Sequence, residues 1–231
     1  LFPVPGLFEI EGYGDKIYKN AGYAWCTTFD NNPPYISETN NYTGSYRRTF
    51  DLPADWNGQE VYFHVGSATS NLKVWVNGKY VGYSEDSKVA AEFNITKYLR
   101  KGQNLIAMQI MRWCDGSYLE DQDFWRFTGI ARAVYLYARP KVHVEDLTIT
   151  QDFIDGKGVL NYHLKSKGNP RICAELYDAE GNRIGEGCMI MDVSYDDLNV
   201  KPWSAETPNL YTLYIPFTRF SSITHLAPHG W

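Results

Sequence analysis

Apolar and polar side chains alternate along much of residues 45–113, a period of two that predicts short strands. Ser45 to Leu52 sets Tyr46, Arg48 and Phe50 on one face, and Val61 to Val65 repeats the pattern. Leu72 to Val76 and Tyr80 to Tyr83 flank Asn77-Gly78. That dipeptide tolerates positive φ at both positions, so it predicts a tight hairpin. Asn104 to Trp113 is apolar on both faces, with Ile106, Met108 and Ile110 alternating with Leu105, Ala107 and Met111, which predicts a central strand. Between these, Asn94 predicts the cap of a single helical turn before Gly102. Ile130 to Tyr137 closes the set.

The flanking segments read differently. Leu1 to Lys19 is a Pro- and Gly-punctuated arm with short extended pieces, and Asn20 to Asn41 is rich in turns. Asn31-Asn32-Pro33-Pro34 cannot be helix interior, because proline lacks the N–H and restricts the residue before it. A long irregular lead-in of this kind points to a functional or partner-bound segment. Arg139-Pro140 is the expected boundary of a second unit. Beyond it Val142 to Thr150, Val159 to Leu164, Arg171 to Tyr177, Arg183 to Gly187 and Leu210 to Ile215 read as strands, with turns at Asp155-Gly156 and Glu180-Gly181-Asn182. Many short strands with hardly any helix predict an all-β protein, a sandwich or jelly roll followed by a second sandwich.

The candidate chemistry lies between the regular strands, in Arg112 to Ile130. Asp115, Glu120, Asp121 and Asp123 stand there among Trp113, Tyr118, Phe124 and Trp125. Ring faces cover the apolar C–H face of a pyranose while carboxylate oxygens accept from its hydroxyls, and such oxygens also suit a hard cation. An acidic loop packed by its own aromatics, with Arg126 pairing Asp123, is the competing account. Glu120 and Asp123 are not read as a glycosidase pair, because residues three apart on an extended segment point different ways and nothing nearby would raise one pKa.

Composition narrows the partners. Aromatic residues make up 16% of the chain, with 18 Tyr, which suits both strands and sugar surfaces. The net charge of −5 and the lack of a basic run argue against nucleic acid, and no apolar stretch is long enough to span a membrane. The opening, from Leu1, has no signal-peptide pattern. The compartment read from this is cytoplasmic, with periplasmic or secreted as the alternative if a signal peptide has been removed. Cys26, Cys114, Cys173 and Cys188 follow no metal-ligand spacing and are expected to be free thiols. The five histidines are scattered without metal spacing. Asn41-Tyr42-Thr43 and Asn94-Ile95-Thr96 match the short glycosylation pattern, which also occurs by chance.

An ordered set of motifs resembles the N-terminal region of the β-galactosidases of glycoside hydrolase family 2. It runs from FEIEGYGDKIYKN at Phe8, through Asn32-Pro33-Pro34, to TGSYRRTFDLP at Thr43 and VWVNGKYVGYSEDSKVAAEFNIT at Val74. GSYLEDQDFWR at Gly116 and KPWSAETPNLYTL at Lys201 complete it. The resemblance implies a galactose-binding-like jelly roll over residues 1–139 and an incomplete immunoglobulin-like β-sandwich over 140–215. Residues 216–231 depart from the family, by truncation, an appended tail or an altered reading frame.

The same resemblance implies a hydrolase of terminal β-D-galactose residues, such as that of lactose, acting with retention. Both catalytic glutamates and the magnesium ligands of that family sit on a later barrel, so this chain is expected to be inactive and to carry no catalytic residue. Two positions carry over. The Asp in the place of Asp123 ligates sodium and contacts galactose, and the Asn in the place of Asn20, in IYKN, contacts the sugar. The sodium site would be incomplete here. Expected partners are galactosides, the remaining domains of the same enzyme and another copy of the chain. The alternatives are a stand-alone carbohydrate-binding module, a structural scaffold for the barrel, or a β-glucuronidase or β-mannosidase relative.

Overall fold

A computed structural model describes residues 1–25, 30–168, 172–189 and 192–216. The tail expected to depart from the family lies, beyond Pro216, outside the described residues, as does Cys26. The chain forms two compact units, Leu1–Arg139 and Pro140–Trp231. Apart from 3-10 turns, all regular structure among the described residues is strand.

In the first unit the strands are β1 (Gly6–Leu7), β2 (Ile17–Lys19), β3 (Thr43–Phe50), β4 (Glu60–Val65), β5 (Leu72–Val76) and β6 (Lys79–Ser84). They continue with β7 (Ala91–Asn94), β8 (Asn104–Met111), β9 (Phe124–Arg126), β10 (Gly129–Ile130) and β11 (Val134–Arg139). One sheet has the order β3-β8-β5-β6 and another β11-β4-β7, while β1 pairs with β10 and β2 with β9 as two-stranded ribbons.

Period two decides what these sheets bury. In β4 Val61, Phe63 and Val65 point inward, in β5 Leu72, Val74 and Val76, and in β8 Ile106, Met108 and Ile110, and all nine join one core cluster. Val65, Val74, Val76 and Ile110 are fully buried, and each such side chain contributes about 1.5–3 kcal/mol relative to exposure. β8 lies between β3 and β5, the central position that its apolar faces predicted. Asn77 and Gly78 turn the β5–β6 hairpin with φ of 50° and 79°. The Asn77 amide also donates to the Asn104 Oδ1 at 2.8 Å, and its own Oδ1 accepts from the Leu105 N–H at 3.0 Å, fixing the turn to β8. Asn94 does not cap a helix in the expected manner. The single turn is 3-10, Thr96–Tyr98, and Asn94 accepts instead from the Thr96 N–H at 3.1 Å and from its hydroxyl at 2.7 Å.

The second unit contains β12 (His143–Ile154), β13 (Lys157–Lys167), β14 (Ile172–Tyr177), β15 (Arg183–Met189), β16 (Asp192–Leu198) and β17 (Thr212–Tyr214). Two three-stranded sheets, β12-β13-β16 and β15-β14-β17, share a core of Leu160, Tyr162, Leu164, Ala174, Leu176 and Leu213. The architecture is thus a jelly-roll unit followed by an immunoglobulin-like sandwich. Strand β16 was not anticipated; Asp192, Asp196 and Asp197 mask its alternation. The expectation of free thiols fails at Cys173, which is disulfide-bonded. The β14–β15 register sets its backbone opposite Cys188, a cross-strand relation that residue spacing alone does not reveal. Cys114 is free and buried.

Buried phenols give the fold an alkaline limit. Burial pushes the Tyr137 hydroxyl up to about 12, with the Glu92 carboxylate adding to the shift. Burial also raises Tyr46, Tyr83 and Tyr162. The folded state therefore holds these protons to higher pH than the unfolded chain, whose tyrosines ionise near about 10. Their contribution is fully present below that pH and is lost as pH rises through the folded values. Unfolding followed by far-UV circular dichroism should begin above about pH 10 and coincide with phenolate absorbance. Ionisation of every tyrosine near its free value, with the fold intact, would contradict this.

Candidate functional site

The acidic stretch is neither a solvated loop nor a carboxylate cluster, because most of its groups are engaged internally. Residues Asp115–Tyr118 form a 3-10 turn held by the Ser117 hydroxyl, which accepts from the Cys114 N–H at 3.1 Å. Tyr118 turns inward. Its ring meets Trp25 edge-on at 4.8 Å and Tyr23 at 5.1 Å, and Trp25 meets Trp113 at 5.2 Å. The Tyr118 hydroxyl donates to the Tyr35 carbonyl at 2.9 Å and accepts from the Asn32 N–H at 3.1 Å. The turn-rich lead-in is in this way anchored to the acidic stretch.

The carboxylates then divide. Glu120 accepts from the Ser87 N–H at 3.0 Å. Asp121 pairs with Arg126, whose guanidinium also donates to the Gln122 carbonyl and lies 4.5 Å over the Phe124 ring. Asp115 sits beside Glu85 and the Cys114 thiol, with ligand atoms within 4.8 Å of one another. Burial raises both the Glu85 carboxyl and the Cys114 thiol. Asp123 alone belongs to none of these. The expected competing partner, Arg126, is taken by Asp121 instead.

Asp123 immediately precedes β9, and Asn20 immediately follows β2. The two strands pair antiparallel, Ile17 with Arg126, Tyr18 with Trp125 and Lys19 with Phe124. One more step of that register leads to Asn20 on one side and Asp123 on the other. Side chains alternate across a ribbon, so Asn20, Tyr18, Asp123, Trp125 and Phe127 share one face, and Ile17 and Arg126 point to the other. Ile17 packs on the Trp25–Trp113–Tyr118 cluster, and Arg126 is buried, so the inward face fixes the ribbon to the body. On the outward face Tyr18 is 52% exposed and Trp125 49%. Tyr18 and Trp125 rings lie 5.6 Å apart, and Trp125 and Phe127 are parallel within 2° at 5.8 Å.

Polar groups occupy the Asn20–Asp123 end of this face and aromatic rings the other. The Tyr18 hydroxyl donates to Asp123 Oδ1 at 2.6 Å, and that bond to a carboxylate raises the Tyr18 pKa. Among the described residues no hydrogen bond or ion pair engages the second Asp123 oxygen or the Asn20 amide, so Asn20 is not spent on capping a turn. An exposed carboxylate with one oxygen unengaged fits one ligand position of a hard cation such as sodium, and supplies only that one. Tyr18 went unnoticed in the sequence. Its signal is local, two residues before Asn20, on the same side of an extended segment.

A cavity of about 250 Å³ lies under the acidic stretch, lined by Ser87, Arg112, Glu120 and Asp121 among others, without Asn20 or Asp123. A larger one, about 720 Å³, opens between edge strands β3 and β11, and its lining has neither carboxylate nor carboxamide. Asn20 and Asp123 thus line neither of these cavities and stand at the open end of the ribbon.

Comparison with known proteins accounts for both units. A family model described as "Glycosyl hydrolases family 2, sugar binding domain" matches residues 2–140, and "Glycosyl hydrolases family 2" matches 142–219. The chain belongs to glycoside hydrolase family 2. Among its relatives, a β-galactosidase of Clostridium acetobutylicum is 42% identical over 221 residues, 92% of this chain and 25% of that protein. A β-galactosidase of Streptococcus thermophilus is 38% identical over 235 residues, 97% of this chain and 23% of that protein. The chain thus spans about a quarter of the length of the curated relatives it matches. Among solved structures, a β-glucuronidase of an uncultured Clostridium sp. superposes with a TM-score of 0.62 at 25% identity, over 75% of this chain and 32% of that one. A Ruminococcus gnavus β-glucuronidase shares the fold, with a TM-score of 0.62 at 19% identity over 76% of this chain and 32% of that one. No helix among the described residues is long and apolar enough to cross a membrane.

Proposed function

We propose that this chain is the non-catalytic, sugar-binding part of a retaining β-galactosidase and forms one wall of its galactose pocket. The supporting observation is the ribbon face, where the β2–β9 register brings Asn20 and Asp123 to one open end. Asp123 accepts from a galactose hydroxyl, and the Asn20 amide both donates and accepts. Asp123 would supply one oxygen to a sodium ion, which would add positive charge beside the sugar hydroxyls, with its other protein ligands supplied by the part of the enzyme beyond this chain. The acid/base and nucleophile carboxylates of retention, and the magnesium beside them, belong to that part as well. Within this chain Glu120 and Asp121 are occupied by Ser87 and Arg126 and are not free to act on a glycosidic bond. Relatives at 36–42% identity carry the name β-galactosidase, whereas the glucuronidase structures are at 19–25%, which favours galactose over glucuronic acid. Its partners in this reading are galactosides, the remaining domains of the enzyme and another copy of the chain, in the cytoplasm.

Titration calorimetry of the 231-residue chain with galactose and lactose, in sodium and then potassium buffer, tests the reading. Binding at millimolar sugar, stronger in sodium and abolished in Asp123→Asn, is expected. Equal heats in Asp123→Asn and the unaltered chain would remove Asp123 from the pocket. A chromogenic β-galactoside should not be hydrolysed, and saturable hydrolysis by the purified chain would refute the non-catalytic assignment.

A further inference from the structure

We infer that Tyr18 is the positioning residue that sets the orientation of the Asp123 carboxylate toward sugar and cation. The inference rests on the assignment of Asp123 to the galactose pocket. Asp123 stands just outside β9 and is exposed, a place where an Asp side chain otherwise samples several rotamers. Tyr18 is its diagonal cross-strand neighbour, directly opposite Trp125 in the register. The phenol reaches the carboxylate at 2.6 Å, and the nearest alternative cation on the stretch, Arg126, is committed to Asp121. A single donor on Oδ1 leaves the other oxygen without a partner among the described residues. The donor is itself held. The Tyr18 ring leans on Trp125 at 5.6 Å and 55°, and Trp125 stacks on Phe127. A row of three rings therefore braces one hydroxyl against one carboxylate. A phenol suits this role better than a cation. It donates a hydrogen bond yet leaves the full negative charge of the carboxylate available to sodium, whereas an ion pair would neutralise it.

The test uses the whole chain, uniformly labelled with 13C and 15N, together with Tyr18→Phe, Asp123→Asn and the double variant. Tyr18→Phe keeps the exposed ring, and its amide spectrum reports whether the fold is intact. Three-bond couplings between Hα and Hβ of Asp123 should indicate one rotamer in the unaltered chain and averaged rotamers in Tyr18→Phe. Galactose affinity in sodium buffer should drop roughly tenfold in Tyr18→Phe, the scale of a lost hydrogen bond to a charged group, and the double variant should match Asp123→Asn. Unchanged Asp123 couplings in Tyr18→Phe would overturn the inference. If the unaltered chain binds no galactose, an autonomous pocket is excluded, while the couplings still decide the role of Tyr18.

Discussion

Replacing Glu9 with alanine should destabilise the first unit by about 3–5 kcal/mol, the cost of stranding a buried charge. Glu9 is 2% exposed and Arg112 4%. The Glu9 carboxylate accepts from the Thr128 N–H and from its hydroxyl, both at 2.8 Å, and lies 3.9 Å from the Arg112 Nε. At that distance it balances charge without a hydrogen bond, and Nε has none of its own. The rest of the guanidinium is fixed by the Asp15 carbonyl at 2.7 Å and lies over the Tyr42 and Trp113 rings. Alanine would leave this cation uncompensated in a buried site and orphan two donors of Thr128. Urea denaturation should show the midpoint falling with little change in slope. Glu9→Gln, which keeps acceptor capacity but not charge, should fall between the two. An Asp15-side water replacing the carboxylate at no cost would appear as an unchanged midpoint in Glu9→Ala, and would sink the argument. Because Thr128 follows Phe127 directly, the same variant should also weaken sodium-dependent galactose binding.

Glu9 illustrates what could be read in the chain and what could not. The sandwich strands were legible because each carries its own period of two, and Asn77-Gly78 announces a hairpin without reference to anything distant. Glu9 stands in a Pro- and Gly-punctuated arm without a regular period, and its Thr128 partner is 119 residues away. No local pattern encodes such a contact. Strand β9 and its pairing with β2 escaped for a related reason, since three residues cannot establish a period and Phe124-Trp125 are consecutive aromatics. The division of labour among the carboxylates was equally hidden. Arg126 lies within reach of Asp121 and Asp123 along the chain, and only the folded backbone, bending between Gln122 and Phe124, decides for Asp121. Asn20 and Asp123 were named by family resemblance. Composition and spacing alone left Asp123 as one of four candidate carboxylates. Cys173 shows the opposite error, a compartment argument applied where a cross-strand register governed.

Gly129→Ala is the second substitution from which a large loss is expected, about 2–5 kcal/mol from backbone strain and overpacking together. Gly129 has φ of +126°, a region that L side chains rarely adopt. A Cβ there would stand 2.6 Å from the Gly6 carbonyl oxygen and 3.2 Å from the Leu7 Cα. Both are backbone atoms, so no side chain can swing aside to relieve the clash. The position is also a junction. Gly129 pairs with Leu7 in the β1–β10 ribbon and exchanges two hydrogen bonds of 3.0 Å with Thr69. Gly12→Ala is the matched control, because Gly12 also has positive φ, +89°, but a Cβ there meets nothing within 4 Å. It should cost only the strain, about 1–3 kcal/mol, and leave sugar binding unaltered. If the two variants melt alike, the clash with Gly6 is relieved cheaply and strain accounts for both. If Gly129→Ala alone loses galactose binding while still folded, the arm and the ribbon are mechanically one piece. The chain leaving β9 reaches Gly129 only three residues after Arg126, so pushing Gly6 away must also tilt the face that carries Asp123.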